Sequence, residues 1–221
     1  MTTNNEGLYT FTQPVILAHP HLITPDTFMR NGKEAGEPKY RCSFVFDAAS
    51  PDLAALKSLA AKLARAGAPD VPLKEMVFPF DNGTALADAR KAKSGKDDGE
   101  FQRGKVIMKA ASKFQPTLGY VEGGRLVGLE TEAAIAASKG KFFFGAEVYG
   151  CVRLSYYPPV GKTGKHGVTA YLQSILSTGK GTKLSGGPSI AETFKGYVGA
   201  VSQEDPLDEQ WNAQLDDEIP F

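Results

Sequence analysis

Three small groups of residues in this chain have the types that chemistry uses. In VGKTGK, residues 160–165, Gly161, Lys162 and Thr163 spell the end of a phosphate-binding loop. Such a loop needs a glycine five residues earlier and a helix behind it. Position 156 is a tyrosine, and strand-like sequence follows, so a flexible basic loop between strands is the reading that remains. The histidines, His19, His21 and His166, lack the cysteine or carboxylate spacing of a zinc site. His19 and His21 flank Pro20 and are expected to shape a turn, as are Asp81 and Asn82 before Gly83. Asp97, Asp98 and Glu100 share a polar loop with Lys93 and Lys96, the one place to seek a metal-dependent nuclease. A solvated loop accounts for them without a metal. No serine, histidine and acid form a recognisable triad, so the chain reads as a non-enzyme with no cofactor and no metal.

Cations and aromatics are more informative. If residues 103–114 form a strand, alternation puts Arg103, Lys105, Lys109 and Lys113 on one face, with Val106, Met108 and Phe114 opposite. Along 145–158, Tyr149, Arg153 and Tyr157 share a face, while Val148, Val152 and Leu154 point into a core. Residues 39–47 add Lys39 and Arg41 to a polar face, with Tyr40, Cys42, Phe44 and Phe46 behind them. Lys162 and Lys165 lie in the basic loop. Cations that follow phosphates and rings that stack on unpaired bases suit single-stranded nucleic acid, at about 1–3 kcal/mol per stacked base. Such binding has little sequence preference.

These strands need a scaffold. Residues 9–18 read as a strand with an edge or bulge at Pro14, and 117–130 as a hairpin turning at Gly123 and Gly124. The best helix follows 39–47: Ser50 caps it, Pro51 suits its first turn, and Asp52 meets its dipole. Leu53, Leu56, Leu59 and Leu63 recur at helical spacing before Gly67 ends the run. Residues 84–91 and 131–140 suggest short helices, 91–100 a polar loop, and 168–178 a last strand. At least one of Phe142, Phe143 and Phe144 belongs in a core. The expected fold is mainly β, a Greek-key barrel of the OB type with helical insertions.

Composition agrees: 221 residues, 42% hydrophobic and 23% charged, describe a globular protein. No apolar run is long enough to span a bilayer, and the first residues do not resemble a signal peptide. Cys42 and Cys151 read as buried thiols in a reducing cytoplasm. The net charge of zero conceals an asymmetry. Seven of the 25 acids lie from Glu204 onward with no base among them, leaving 18 acids against 25 bases in residues 1–203. The chain is thus expected to be a basic binding domain, 1–203, carrying a disordered acidic tail, 204–221.

That tail ends in Asp216, Asp217, Glu218, Ile219, Pro220 and Phe221. A terminal Phe can enter an apolar pocket while its carboxylate and the preceding acids meet bases around it. The ending resembles the tail tip of bacterial single-stranded DNA-binding proteins, which docks replication and repair enzymes. The body, in turn, resembles the single-stranded DNA-binding proteins of tailed phages. That likeness runs through HPHLITP, KYRCSFVFD, FFFGAEVYGCVRLSYYP and GVTAYLQSILSTGKGTKLSGGPSIAETF, over most of residues 9–195. Gly150, Cys151 and the AETF ending at Phe194 carry structural parts of the motif. The resemblance implies an OB-fold that coats single strands in phage replication or recombination, in the bacterial host cytoplasm. A recombination or annealing factor that also holds duplex, weakly and under control of the tail, is the alternative.

Overall fold

The alternating stretch KYRCSFVFD forms a strand over its whole expected length, Lys39–Asp47, and buries Cys42, Phe44 and Phe46. The computed structural model describes residues 6–27, 29–30, 33–34, 36–95, 99–161 and 164–184. In chain order the elements are β1 (Leu8–Thr10), β2 (Val15–Asp26), β3 (Met29–Arg30), β4 (Lys33–Glu34), β5 (Lys39–Asp47), α1 (Pro51–Gly67), β6 (Phe80–Asn82) and α2 (Gly83–Ser94). There follow β7 (Lys105–Ser112), β8 (Thr117–Glu122), β9 (Arg125–Leu129), α3 (Glu132–Ala137), β10 (Ala146–Tyr157) and β11 (Gly167–Gly181).

Five strands close on themselves: β2 pairs with β5, β5 with β7, β7 with β11, β11 with β10, and β10 with β2. The β7–β11 pairing is parallel and the others are antiparallel. This is the five-stranded barrel of an OB-fold, with β5 and β7 as its second and third strands. The β8–β9 hairpin extends the sheet beside β11, β1 adds to β10, and β6 adds to β7. Gly123 and Gly124, both at positive φ, make the turn of the hairpin as expected.

The core fills the barrel and continues under α1, where Leu53, Leu56, Ala60 and Ala64 are buried. Gly150 faces inward on β10; a Cβ there would stand 2.6 Å from the Phe11 ring and 3.0 Å from Phe44. Those two rings meet edge to face at 4.9 Å, so only glycine leaves them room. Phe142 enters this core, Phe143 packs against it, and Phe144 joins a second, smaller cluster.

Several sequence expectations need correction. Residues 9–18 are two strands, because Pro14 has no N–H and Asp52 captures the backbone amides of Thr12 and Gln13 at 3.0–3.1 Å. Asp52 is therefore a buried acceptor, also bonded by the Tyr9 and Thr12 hydroxyls at 2.8 Å, as well as an acid in the first helical turn. Ser50 makes no side-chain cap. Gly67 is the last helical residue and not a left-handed stop; the Tyr156 ring occupies the place of its Cβ, 2.3 Å away. The second helix runs longer than 84–91, started by the Asn82 side chain, which accepts from the Ala85 amide, and ended by Gly95 at φ +70°. Residues 91–94 thus belong to that helix and not to the loop. His19 and Pro20 form a bulge inside β2, not a turn, with one extra residue opposite β5 and His19 at φ +47°. Cys151 points outward, half-buried, and only Cys42 is a core thiol. The expected tail, 204–221, lies outside the described residues.

Candidate functional site

Strand register gathers one set of the expected residues. His21 on β2 stands opposite Arg41 on β5, Arg41 opposite Ala111 on β7, and Ala111 beside Tyr171 on β11. Tyr171 stands opposite Arg153 on β10. Residues opposed across a ladder share a face. A single row thus crosses the outer surface of five strands, with Tyr171, 46% exposed, between two arginines and next to a small alanine.

Beside this row, β5, β7 and β11 floor a groove of about 600 Å³. Arg41 and Lys109 line it together with Tyr157, all three anticipated from alternation, along with His19, His21 and Phe78. The segment 158–166, which carries Lys165, joins β10 to β11 next to Tyr157. In OB-folds, oligonucleotides bind on the face of the second and third strands, between the loops that join strands one to two and four to five. The groove lies on that face, and residues 158–161 and 164–166 belong to the second of these connections.

The electrostatics differ from an open basic face. Arg41 pairs with Asp26, Lys105 with Asp47, and Lys113 with Glu37. Lys109 Nζ lies 2.6 Å from Asp81, and Arg103 lies 2.8 Å from both Asp88 and Glu100. All of these acids but Glu100, three residues before Arg103, come from other segments of the chain, so alternation within one strand could not reveal them. His21 also stands 3.5 Å from Asp26, and His19 stands 3.4 Å from Arg90. Burial and then Arg90 and His21 lower the pKa of His19; burial and then Arg41 lower that of His21. Both rings are neutral at pH 7.

The remaining candidates are dispersed. Lys39 is exposed at the start of β5, where its partner position is Asp26. Arg103 lies before the start of β7, and Lys105 borders a different hollow, near Pro51. They are cut off from Lys109 because Ile107, nominally on the same polar face, is buried with Ala18 and Val45 beneath Leu86 of α2. Tyr149 lines a separate apolar hollow with Leu126, Cys151 and Leu176. Arg153, at the β10 end of the row and not among these dispersed residues, also donates to the Glu6 carbonyl at 3.3 Å. Lys162 lies outside the described residues, as do Asp97, Asp98 and the six tail residues from Asp216 to Phe221.

Sequence reasoning missed Tyr171 and Phe114. Tyr171 had a signal: Val168, Ala170 and Leu172 are inward, so 169, 171 and 173 must face out. Phe114 was expected in the apolar face but is 81% exposed, since β7 ends at Ser112 and the chain turns away. No group of metal-ligating side chains occurs among the described residues, and no helix among them is long and apolar enough to cross a membrane.

Residues 10–207 match the family model described as the single-stranded DNA-binding protein of Enterobacter phage Enc34. The chain belongs to this family. Among solved structures, the Enc34 single-stranded DNA-binding protein in complex with single-stranded DNA is 19% identical at a TM-score of 0.59. The match covers 81% of this chain and 90% of that one. The Enc34 protein without DNA gives 18% identity and a TM-score of 0.57, covering 84% of this chain and 88% of the other. At these identities the likeness shows that the Enc34-family fold is shared. No curated protein matches the chain.

Proposed function

We propose that the chain binds single-stranded DNA along the β5–β7–β11 groove and the row beside it, without catalysing a reaction. The observation that carries this reading is the convergence of Arg41, Lys109 and Tyr157 in one groove, next to exposed Tyr171. The cations neutralise phosphates and the rings stack on bases, so affinity depends on salt and little on sequence. The family match supports the same ligand, since the Enc34 protein is described as binding single-stranded DNA.

On this reading residues 1–203 form the binding domain and 204–221 an acidic tail that competes for the groove. The tail's 18 residues reach up to about 60 Å when extended, enough to span the domain. Asp216, Asp217 and Glu218 imitate a phosphate chain, while Ile219, Pro220 and Phe221 dock replication or recombination proteins of the phage or its bacterial host. Duplex DNA, held without base stacking, is displaced more readily than a single strand.

The test is fluorescence anisotropy with labelled single-stranded and duplex oligonucleotides of one length. It compares the full chain with a full-length variant carrying Asp216→Asn, Asp217→Asn and Glu218→Gln. Tighter binding by the variant, with the larger gain on duplex, is the expected result. Equal affinities for duplex in the two proteins would remove the gating role, and no binding by either would remove the function.

A further inference from the structure

A second hollow, of about 240 Å³, opens off the groove under α2 and shares His19, Ser43 and Lys109 with it. Its walls differ from those of the groove. Phe101 and Leu86 supply apolar surface, and Arg90 stands at the rim beside His19. Two polar side chains line it that are not needed elsewhere. Gln102 is only 4% exposed, and Ser43 only 9%. Neither side chain makes a hydrogen bond to a described residue. No fully buried side-chain polar atom among the described residues lacks a partner, so the Gln102 amide keeps a small exposed area, and Gln102 is among the residues that line the hollow.

A buried amide with open donor and acceptor capacity is costly to keep dry. Beside an aromatic face and two cations, on the border of a groove for a phosphate chain, that capacity has a specific match. We propose that this hollow receives one nucleobase of the single strand bound in the groove. The base lies against Phe101, and its hydrogen-bonding edge meets Gln102 and Ser43. Its phosphates stay at the rim with Arg90 and Lys109. The inference rests on the groove reading and adds to it. Binding along the groove tolerates any base, whereas this one position discriminates, because a mismatched base leaves the amide or the hydroxyl desolvated and unpaired.

The full chain is irradiated with an oligonucleotide of 5-iododeoxyuridine, and the cross-linked peptides are mapped by mass spectrometry. A cross-link at Phe101 is expected. Cross-links confined to Phe78, Tyr157 or Tyr171 overturn the base site and leave the groove reading standing; no binding of the oligonucleotide overturns both. Independently, the ratio of affinities for oligo-dT, oligo-dC and oligo-dA is measured for the full chain, for Ser43→Ala and for Gln102→Leu. The ratio between best and worst base should shrink by about fivefold or more in either folded variant. An unchanged ratio in both overturns the proposal.

Discussion

Replacing Asp81 by asparagine should tighten DNA binding, although it removes an ion pair from the folded protein. Asp81 holds Lys109 Nζ at 2.6 Å, and Lys109 lines the groove. In the free protein the carboxylate occupies the position a phosphate must take, so binding replaces one ion pair by another. Both side chains are substantially solvated, which limits the pair to about 0.2–1 kcal/mol. Removing this competitor should return that amount to the DNA complex, a gain of about 1.5–5-fold in affinity. Lys109 neutralises one phosphate in both proteins, so the slope of log K against log salt should be nearly unchanged. Anisotropy titrations of an oligo-dT strand at several salt concentrations measure both quantities, with a thermal melt to confirm that folding is retained. Unchanged or weaker binding by the folded variant would refute the idea that Lys109 meets phosphate.

Four further outcomes follow from the same geometry. Tyr171→Ala should weaken single-strand binding by about 1–3 kcal/mol while Tyr171→Phe retains it, because the ring stacks and the hydroxyl does not, as anisotropy would show. Gly150→Ala drives a methyl into Phe11 and Phe44 and should cost about 1–3 kcal/mol in urea unfolding. The Asp52 carboxyl is opposed by burial but held below its ordinary pKa by bonds from Thr12, Tyr9 and Gln13. Its contribution is therefore present above the unfolded pKa of about 4 and lost as pH falls through the lower folded value, and Asp52→Asn should flatten that acid limb of a stability–pH profile. Protonation of His19 and His21 requires pH below their ordinary value, so DNA affinity should rise between pH 7.5 and pH 5, and a His19→Gln, His21→Gln double variant should lose the rise.

What the sequence made legible was local. The β5 strand, the α1 register and the Gly123–Gly124 turn follow from periodicity and turn chemistry, which act over a few residues. Alternation also put Arg41, Lys109 and Tyr157 on outward faces, and they line one groove because outward residues of paired strands end on a common surface. Long-range partners escaped it. The acids that pair Lys105, Lys109 and Lys113 are contributed by β5, β6 and the segment before β5, across turns that no periodicity encodes. Ile107 sits at an outward position yet is buried, since α2 folds back over that part of β7. Asp52 stood in plain view as a first-turn acid, but its bonds to Thr12 and Gln13 depend on β1 reaching the helix. The bulge at His19 and Pro20 reversed a turn assignment because proline and positive φ serve both structures.

The central claim is that the groove on β5, β7 and β11 holds single-stranded DNA. Its most direct test is the salt dependence of oligo-dT binding, measured for the full chain and for an Arg41→Ala, Lys109→Ala double variant. With two fewer phosphates of the single strand neutralised, the slope of log K against log salt should flatten by about 1.4 and binding should weaken. Identical slopes and affinities in the two proteins would contradict the account and place the DNA elsewhere on the barrel.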